Sequence, residues 1–252
     1  MILCKPHHFF KQLLLQQMKK LFSFLYILFP IAVWSQGGSL QSELDSMKEN
    51  FLKRADKNKI AVYEAGIDSV THSGVLDAAV QKGQDAPLFE LTNAKGDTVK
   101  LKDLLKNGPV ILTWYRGGWC PYCNLTLRSL QEHLPDFIER GATLVALTPE
   151  LPDNSLDTKE KHELEFEVLS DINSEVGKSY GIIYKLTDEV AEFYKKGFDL
   201  KKYNGEDSYS LPLAATYVID TNGVVTYAFL DADYRKRAEP QEIIKALDAL
   251  KK

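Results

Sequence analysis

The apolar positions of this chain change their spacing several times, and each change marks an element. Leu40, Leu44, Met47 and Phe51 fall at i, i+4, i+7 and i+11, one apolar face of a helix over residues 40–55. Such a face predicts a helix packed on its own domain; a docking or dimer helix is the alternative. Residues 59–82 are less periodic and run into Gln81-Lys82-Gly83-Gln84-Asp85-Ala86-Pro87, a turn-rich hinge that places a domain boundary near Gly83.

Beyond Gly83 short β-rich runs alternate with helical ones. Residues 88–91 and 98–101 predict two strands around the turn at 93–97, and 102–106 a helical turn. Residues 109–115 are a continuous apolar run of the kind shown by a strand buried on both faces, and they end at the break Arg116-Gly117-Gly118. Leu127, Leu130, Leu134, Phe137 and Ile138 then keep helical spacing as far as Gly141, a natural C-cap, and 142–148 is a second buried strand. Strand, helix and strand make a βαβ unit with a parallel pair and a right-handed crossover. Downstream the pattern predicts a strand at 166–169, helices at 173–180 and 188–196, a hairpin of 214–220 and 224–230 about Thr221-Asn222-Gly223, and a last helix at 239–250. The sum is an α/β mixed sheet flanked by helices.

The first 35 residues differ in kind. They hold Lys5, Lys11, Lys19 and Lys20, no acidic residue, and the apolar run 21–34. Met18-Lys19-Lys20, that run, and small residues at Val33 and Ser35 before Gln36 form an export signal with its cleavage site, so Met18 is a plausible initiator and Cys4 is absent from the working protein. A signal anchor is the competing reading, but 14 apolar residues interrupted by Pro30 fall short of the ~20 that span a bilayer. The expected product is exported, periplasmic or extracellular, and free of the membrane once the signal is removed. The domain plan is therefore 1–35 signal, 36–82 N-terminal helical extension and 83–252 main domain. Taking four lysines from 31 basic residues leaves 27 against 35 acidic, a formal charge of −8 without a basic cluster, which argues against nucleic acid as a partner.

Cys120 and Cys123 then become the only cysteines, set at the strand-to-helix turn of the βαβ unit in Trp119-Cys120-Pro121-Tyr122-Cys123. A helix N-terminus favours thiolate through unpaired amides and the macrodipole, and Pro121 suits the first turn because its missing N–H would have had no helical partner. A two-residue spacing closes a small, constrained disulfide ring fitted to exchange. A purely structural disulfide more often closes a longer loop, and a lone C-x-x-C supplies half of a tetrahedral zinc shell. His72, His133 and His162 are scattered and receive no catalytic role; His133 lies ten residues along the helix from Cys123. Neither a metal nor a cofactor is expected. Arg116 is a candidate stabiliser of a thiolate or a peroxide oxygen, its alternative being a solvated loop arginine. Gly117 and Gly118 form the turn and leave the sulfurs approachable.

The segment Trp114-Tyr115-Arg116-Gly117-Gly118-Trp119-Cys120-Pro121-Tyr122-Cys123-Asn124-Leu125 resembles the active-site segment of peroxiredoxin-like proteins in the alkyl hydroperoxide reductase and thiol-specific antioxidant family, within the thioredoxin superfamily. The likeness runs from Gly83 through Leu169-Ser170-Asp171 and Tyr180-Gly181 to the hairpin at Thr216-Tyr217-Val218-Ile219-Asp220. It implies a thioredoxin-like fold and reduction of hydrogen peroxide or organic hydroperoxides, with thioredoxin or a similar dithiol as reductant. Laid on this chain, the family motif puts Cys123 at the peroxidatic place and Cys120 where a Thr would stand. The family's later strand-start Arg falls on Ala214, as does the thioredoxin cis-proline, with Pro212 close by.

Three readings follow. As a peroxidase, Cys123 thiolate attacks the peroxide and Cys120 resolves the sulfenic acid. As a thioredoxin-type exchange protein, a more exposed Cys120 attacks a substrate disulfide and Cys123 resolves. As a non-enzymatic binding module, Trp114, Trp119 and Tyr122 form an apolar recognition patch.

Overall fold

The computed structural model describes residues 38–251 apart from Ala94. The export pattern at 1–35, with Cys4 and Met18, lies outside them. Two helices open the described chain, α1 (Leu40–Arg54) and α2 (Lys57–Thr71). Each begins at a side chain that satisfies free backbone amides: Ser39 accepts from the N–H of Ser42, and Asp56 from those of Asn58 and Lys59. The weak periodicity after residue 59 has its cause in α2, where Val70 alone is buried. A single helical turn, Val75–Ala78, follows.

Strands β1 (Glu90–Thr92) and β2 (Thr98–Lys100) pair as a separate antiparallel ribbon. The main sheet begins with β3 (Val110–Trp114), which leads into the dithiol helix α3 (Pro121–Glu132). A second helix, α4 (Leu134–Glu139), precedes β4 (Thr143–Thr148). The single helix expected up to Gly141 is thus two. Pro135 sits in the first turn of α4, where it has no N–H to give the carbonyl of Gln131 and its ring would crowd that group in a continuous helix. Helix α5 (Pro152–Lys161) comes next, then β5 (Glu167–Ser170). The helix expected at 173–180 is reduced to Glu175–Ser179 after a 3-10 turn, because Asn173 and Ser174 take left-handed backbone at φ 59° and 57°. The small ribbon β6 (Ile183–Lys185) with β7 (Ser210–Pro212) brackets α6 (Asp188–Gly197), and the chain closes with β8 (Thr216–Ile219), β9 (Val225–Phe229) and α7 (Pro240–Ala249).

The five-stranded sheet has the order β5-β4-β3-β8-β9, with β3, β4 and β5 parallel and β8 and β9 antiparallel to their neighbours. Alternation along β3 divides the core. Val110, Leu112 and Trp114 point to a face covered by Val70 of α2, Val190 and Tyr194 of α6, and Tyr180. Ile111 points to the other face, where Leu40 and Leu44 of α1 meet Leu127 and Leu130 of α3, Phe137 of α4 and Ile243 of α7. The described residues from 38 to 251 belong to one compact unit, and α1 packs on α3 as a helix of its own domain. No helix among the described residues is long and apolar enough to cross a membrane.

Leu44 is fully buried in the layer that supports the dithiol helix. Truncation to Ala should lower unfolding free energy by about 2–5 kcal/mol, read by denaturant titration; a loss within about 0.5 kcal/mol, typical of a surface position, would mean α1 is not part of the core.

Candidate active site

The site is built where β3 ends at the middle of the sheet. Tyr115 still bonds the carbonyl of Leu147 on β4, and the chain then turns through Arg116, Gly117 and Gly118. Gly117 has φ 149°, and a Cβ there would stand 2.2 Å from Trp119 Nε1 and 2.8 Å from Glu150 Oε1. A Cβ on Gly118 would stand 2.1 Å from Thr158 Oγ1 of α5. The two glycines therefore admit Trp119, Glu150 and α5 to the turn, rather than exposing sulfur. Cys120 is the N-cap of α3, Pro121 its first residue and Cys123 its third.

Both cysteines are free thiols, and both are buried, Cys120 at 2 % exposure and Cys123 at 0 %. The exchange reading expected Cys120 as the more exposed sulfur; it exceeds Cys123 only by 2 % against 0 %, and both belong to one buried apolar cluster with Tyr115, Tyr122 and Leu127. Burial pushes the Cys120 thiol well up, and the hydrogen bond it donates to Cys123 and the charge of Cys123 push it further; Arg116 and Arg237 act the other way. Cys123 goes down to about 5. Burial opposes that shift, but the S–H of Cys120, the charges of Arg237 and Arg116, and the N–H of Arg116 together outweigh it. Arg116 N lies 3.5 Å from Cys123 Sγ, and Arg237 Nη2 lies 3.4 Å from it.

Arg116 is 1 % exposed and not a solvated loop arginine. Its guanidinium donates to Tyr194 OH and sits over the rings of Tyr234 at 4.3 Å and Trp119 at 5.2 Å. Only its amide touches Cys123; its charge acts through space. Arg237 was missed by sequence reasoning, because the run Arg235-Lys236-Arg237 after the hairpin reads equally as a solvated basic stretch. It supplies the cation that the family pattern led one to seek at Ala214, which is buried and apolar just before β8. Pro212 ends β7, paired with Ile183. Neither Arg116 nor Arg237 has a carboxylate within ion-pair distance among the described residues.

Glu150 was also missed. It is fully buried, accepts from Gly118 N–H at 3.0 Å, and leaves Oε1 without a partner among the described residues. Burial, opposed by the Gly118 N–H and helped by the charge of Cys123, pushes it up to about 7. It lines an open cleft of about 420 Å³ with Trp119, Pro121, Asn124, Asn154 and His162. His162 is pushed down, burial being the main cause. His133 caps the break between α3 and α4 and His72 the exposed end of α2, neither beside the sulfurs. No cluster of metal-binding side chains occurs among the described residues.

The apolar patch of the binding-module reading does not form at the surface. Trp114 is buried against Tyr180 and Tyr217 at 4.8 and 5.9 Å, Trp119 stacks on Phe198 at 4.6 Å, and Tyr122 is 6 % exposed.

The sequence model of the AhpC/TSA family matches residues 82–228. Peroxiredoxin Bcp of Bacillus subtilis is 28% identical over 172 residues, 68% of this chain and 96% of that protein. Thiol-disulfide oxidoreductase ResA of Bacillus thuringiensis is 29% identical over 127 residues, 50% of this chain and 71% of that protein. Among solved structures, peroxidoxin BcpB of Mycobacterium tuberculosis superposes with a TM-score of 0.54 at 20% identity, covering 68% of this chain and 98% of that one, a likeness of fold.

The low Cys123 value makes a stability prediction. An unfolded cysteine titrates near 8.5, so between about 5 and 8.5 the unfolded chain holds a proton that the reduced native protein does not. The stabilisation Cys123 supplies is complete above about 8.5 and is lost as pH falls through 5, with a slope of about 1.4 kcal/mol per pH unit in between. The gap in unfolding free energy between reduced wild type and Cys123→Ala should widen from pH 5 to 8. A gap independent of pH would mean that the native thiol is neutral.

Proposed function

Because the chain belongs to the AhpC/TSA family, whose sequence model covers residues 82–228, we propose that it is a thiol-dependent peroxidase in which Cys123 attacks the hydroperoxide and Cys120 resolves. The likeness to peroxiredoxin Bcp over nearly that protein's whole length supports the reaction class. The observation that carries the choice of sulfur is the convergence on Cys123 of the Arg237 guanidinium at 3.4 Å and the Arg116 amide at 3.5 Å.

In the first step Cys123 thiolate displaces alkoxide, or hydroxide, from the terminal oxygen of ROOH. The S–O bond forms as the O–O bond breaks, giving Cys123 sulfenic acid, and the departing oxygen takes a proton from the medium to leave as ROH or water. Arg237, already at the sulfur, is placed to hold the charge that moves from sulfur to oxygen. In the second step Cys120 sulfur attacks Cys123 sulfur, water departs, and the Cys120–Cys123 disulfide stores the two-electron oxidation. An external dithiol, thioredoxin or one like it, returns both thiols and is itself oxidised to its disulfide. The export pattern at 1–35 supports a working protein that begins near Gln36 in the periplasm or outside the cell.

The ResA likeness favours disulfide exchange as the second reading, and the same experiment separates the two. Purified protein is supplied with hydrogen peroxide or cumene hydroperoxide and a thioredoxin system. Cys123→Ser should abolish turnover. Cys120→Ser should trap one equivalent of sulfenic acid on Cys123 without forming the internal disulfide. Arg237→Leu should slow peroxide consumption by about tenfold or more through the lost charge-assisted contact. Reduction of insulin disulfides that needs Cys120, without hydroperoxide turnover, would replace the peroxidase reading with exchange.

A further inference from the structure

Residues 231–238 follow β9 without regular secondary structure, yet their side chains are tied down in sequence. Asp231 accepts the N–H of Asp233 at 2.8 Å and pairs with Lys236 at 3.2 Å. Asp233 accepts three donors of Arg235: its N–H at 3.0 Å, Nε at 2.7 Å and Nη2 at 2.9 Å. The same guanidinium gives Nη1 and Nη2 to the two oxygens of Glu64 at 2.5 and 3.1 Å. Arg235 is only 4 % exposed, so its five N–H groups have little choice of partner. Tyr234 lies over Arg116, and Arg237 is held by the carbonyl of Tyr234 and, at 2.7 Å, that of Lys236 while it reaches Cys123.

Glu64 belongs to α2, 171 residues before Arg235. Glu64, Arg235 and Arg237 all lie outside the residues matched by the family's sequence model. A bidentate carboxylate pair fixes orientation as well as position, and here it clamps the residue between two backbone carbonyls that aim Arg237.

We propose that Glu64 is a positioning residue, which through its paired hydrogen bonds to Arg235 fixes the backbone of residues 234–237 and so holds the Arg237 guanidinium at Cys123. The N-terminal extension thereby sets the reactivity of a thiol on another part of the chain. This rests on the reading that Cys123 is the attacking sulfur. The other groups that face Cys123 are Cys120, Arg116, Glu150, Tyr115 and Tyr184, and none of them is bonded to Glu64.

The sign of the effect separates positioning from plain electrostatics. Removing the negative charge of Glu64 by itself favours thiolate and lowers the Cys123 midpoint, whereas releasing Arg237 raises it. The test is the thiolate titration of Cys123, by ultraviolet absorbance and by mass-resolved alkylation, in reduced full-length wild type, Glu64→Gln, Glu64→Ala and Phe51→Ala. The last removes the Phe51–Tyr63 stack between α1 and α2 without touching Arg235. Expected is an upward shift of about 0.7 pH unit in Glu64→Ala and a smaller one in Glu64→Gln, with alkylation at pH 5 slowed about threefold. Phe51→Ala should lose stability and keep the wild-type midpoint. A midpoint that is unchanged or falls in both Glu64 variants overturns the proposal, as does an equal rise in Phe51→Ala; should Glu64→Ala not fold, Glu64→Gln decides. Peroxide turnover is read alongside: a shifted midpoint without wild-type turnover keeps the positioning role and removes the peroxidase reading, and turnover without a shift does the reverse.

Discussion

Two guanidiniums buried without carboxylate partners among the described residues are the constraint around which this molecule is arranged. A buried charge costs several kcal/mol unless something of opposite sign stands by it. Arg116 meets that cost with a tyrosine hydroxyl and aromatic faces, and Arg237 with two carbonyls. Neither set carries a formal negative charge, and the charges of both guanidiniums act on the sulfurs of Cys120 and Cys123, with Arg237 in contact with Cys123. The dependence is mutual. The S–H of Cys120 and the two arginines together hold the proton off Cys123, and the resulting thiolate is a negative charge 3.4 Å from the Arg237 guanidinium. Cys120 feels the same two guanidiniums, but burial, the hydrogen bond it donates to Cys123 and the charge of Cys123 outweigh them and keep it a thiol. One tetrapeptide thus contains two sulfurs of opposite character: the hydrogen bond between them separates them most, and the two guanidiniums and the Arg116 N–H add to it at Cys123.

Much of the fold could be read from the chain because its signals are local. Residues 109–115 and 142–148 are apolar without alternation because both faces of β3 and β4 are covered, and Asp220-Thr221-Asn222-Gly223 turns β8 into β9 through hydrogen bonds of its own side chain. Helix α5 was not legible: its sequence PDNSLDTKEK buries only Ser155 and Thr158, so no apolar period marks it. The break at His133 is local, and Pro135 announces it, but the apolar spacing of Leu130, Leu134 and Phe137 continues across and masks it.

The dithiol itself was legible from spacing and from its place between strand and helix. Its electrostatics were not. Arg237 lies 114 residues from Cys123 and Glu150 sits 32 residues from the Gly118 amide it accepts from. Nothing local in Tyr234-Arg235-Lys236-Arg237 distinguishes a solvated basic run from one folded inward. The aromatic residues misled for the same reason: Trp114 and Trp119 precede the motif and Tyr122 lies within it, but each packs on a residue from elsewhere, Tyr180, Phe198 and Tyr234 respectively.

The distance along the chain between Cys123 and Arg237 has a bearing on how the protein comes into being. Until residue 237 has been synthesised and brought back across the sheet, Cys123 has neither the guanidinium nor the folded turn that depresses it, and it is an ordinary thiol that is almost wholly protonated at neutral pH. The thiolate fraction of Cys123 at neutral pH therefore rises only with the closing of the C-terminal part of the fold.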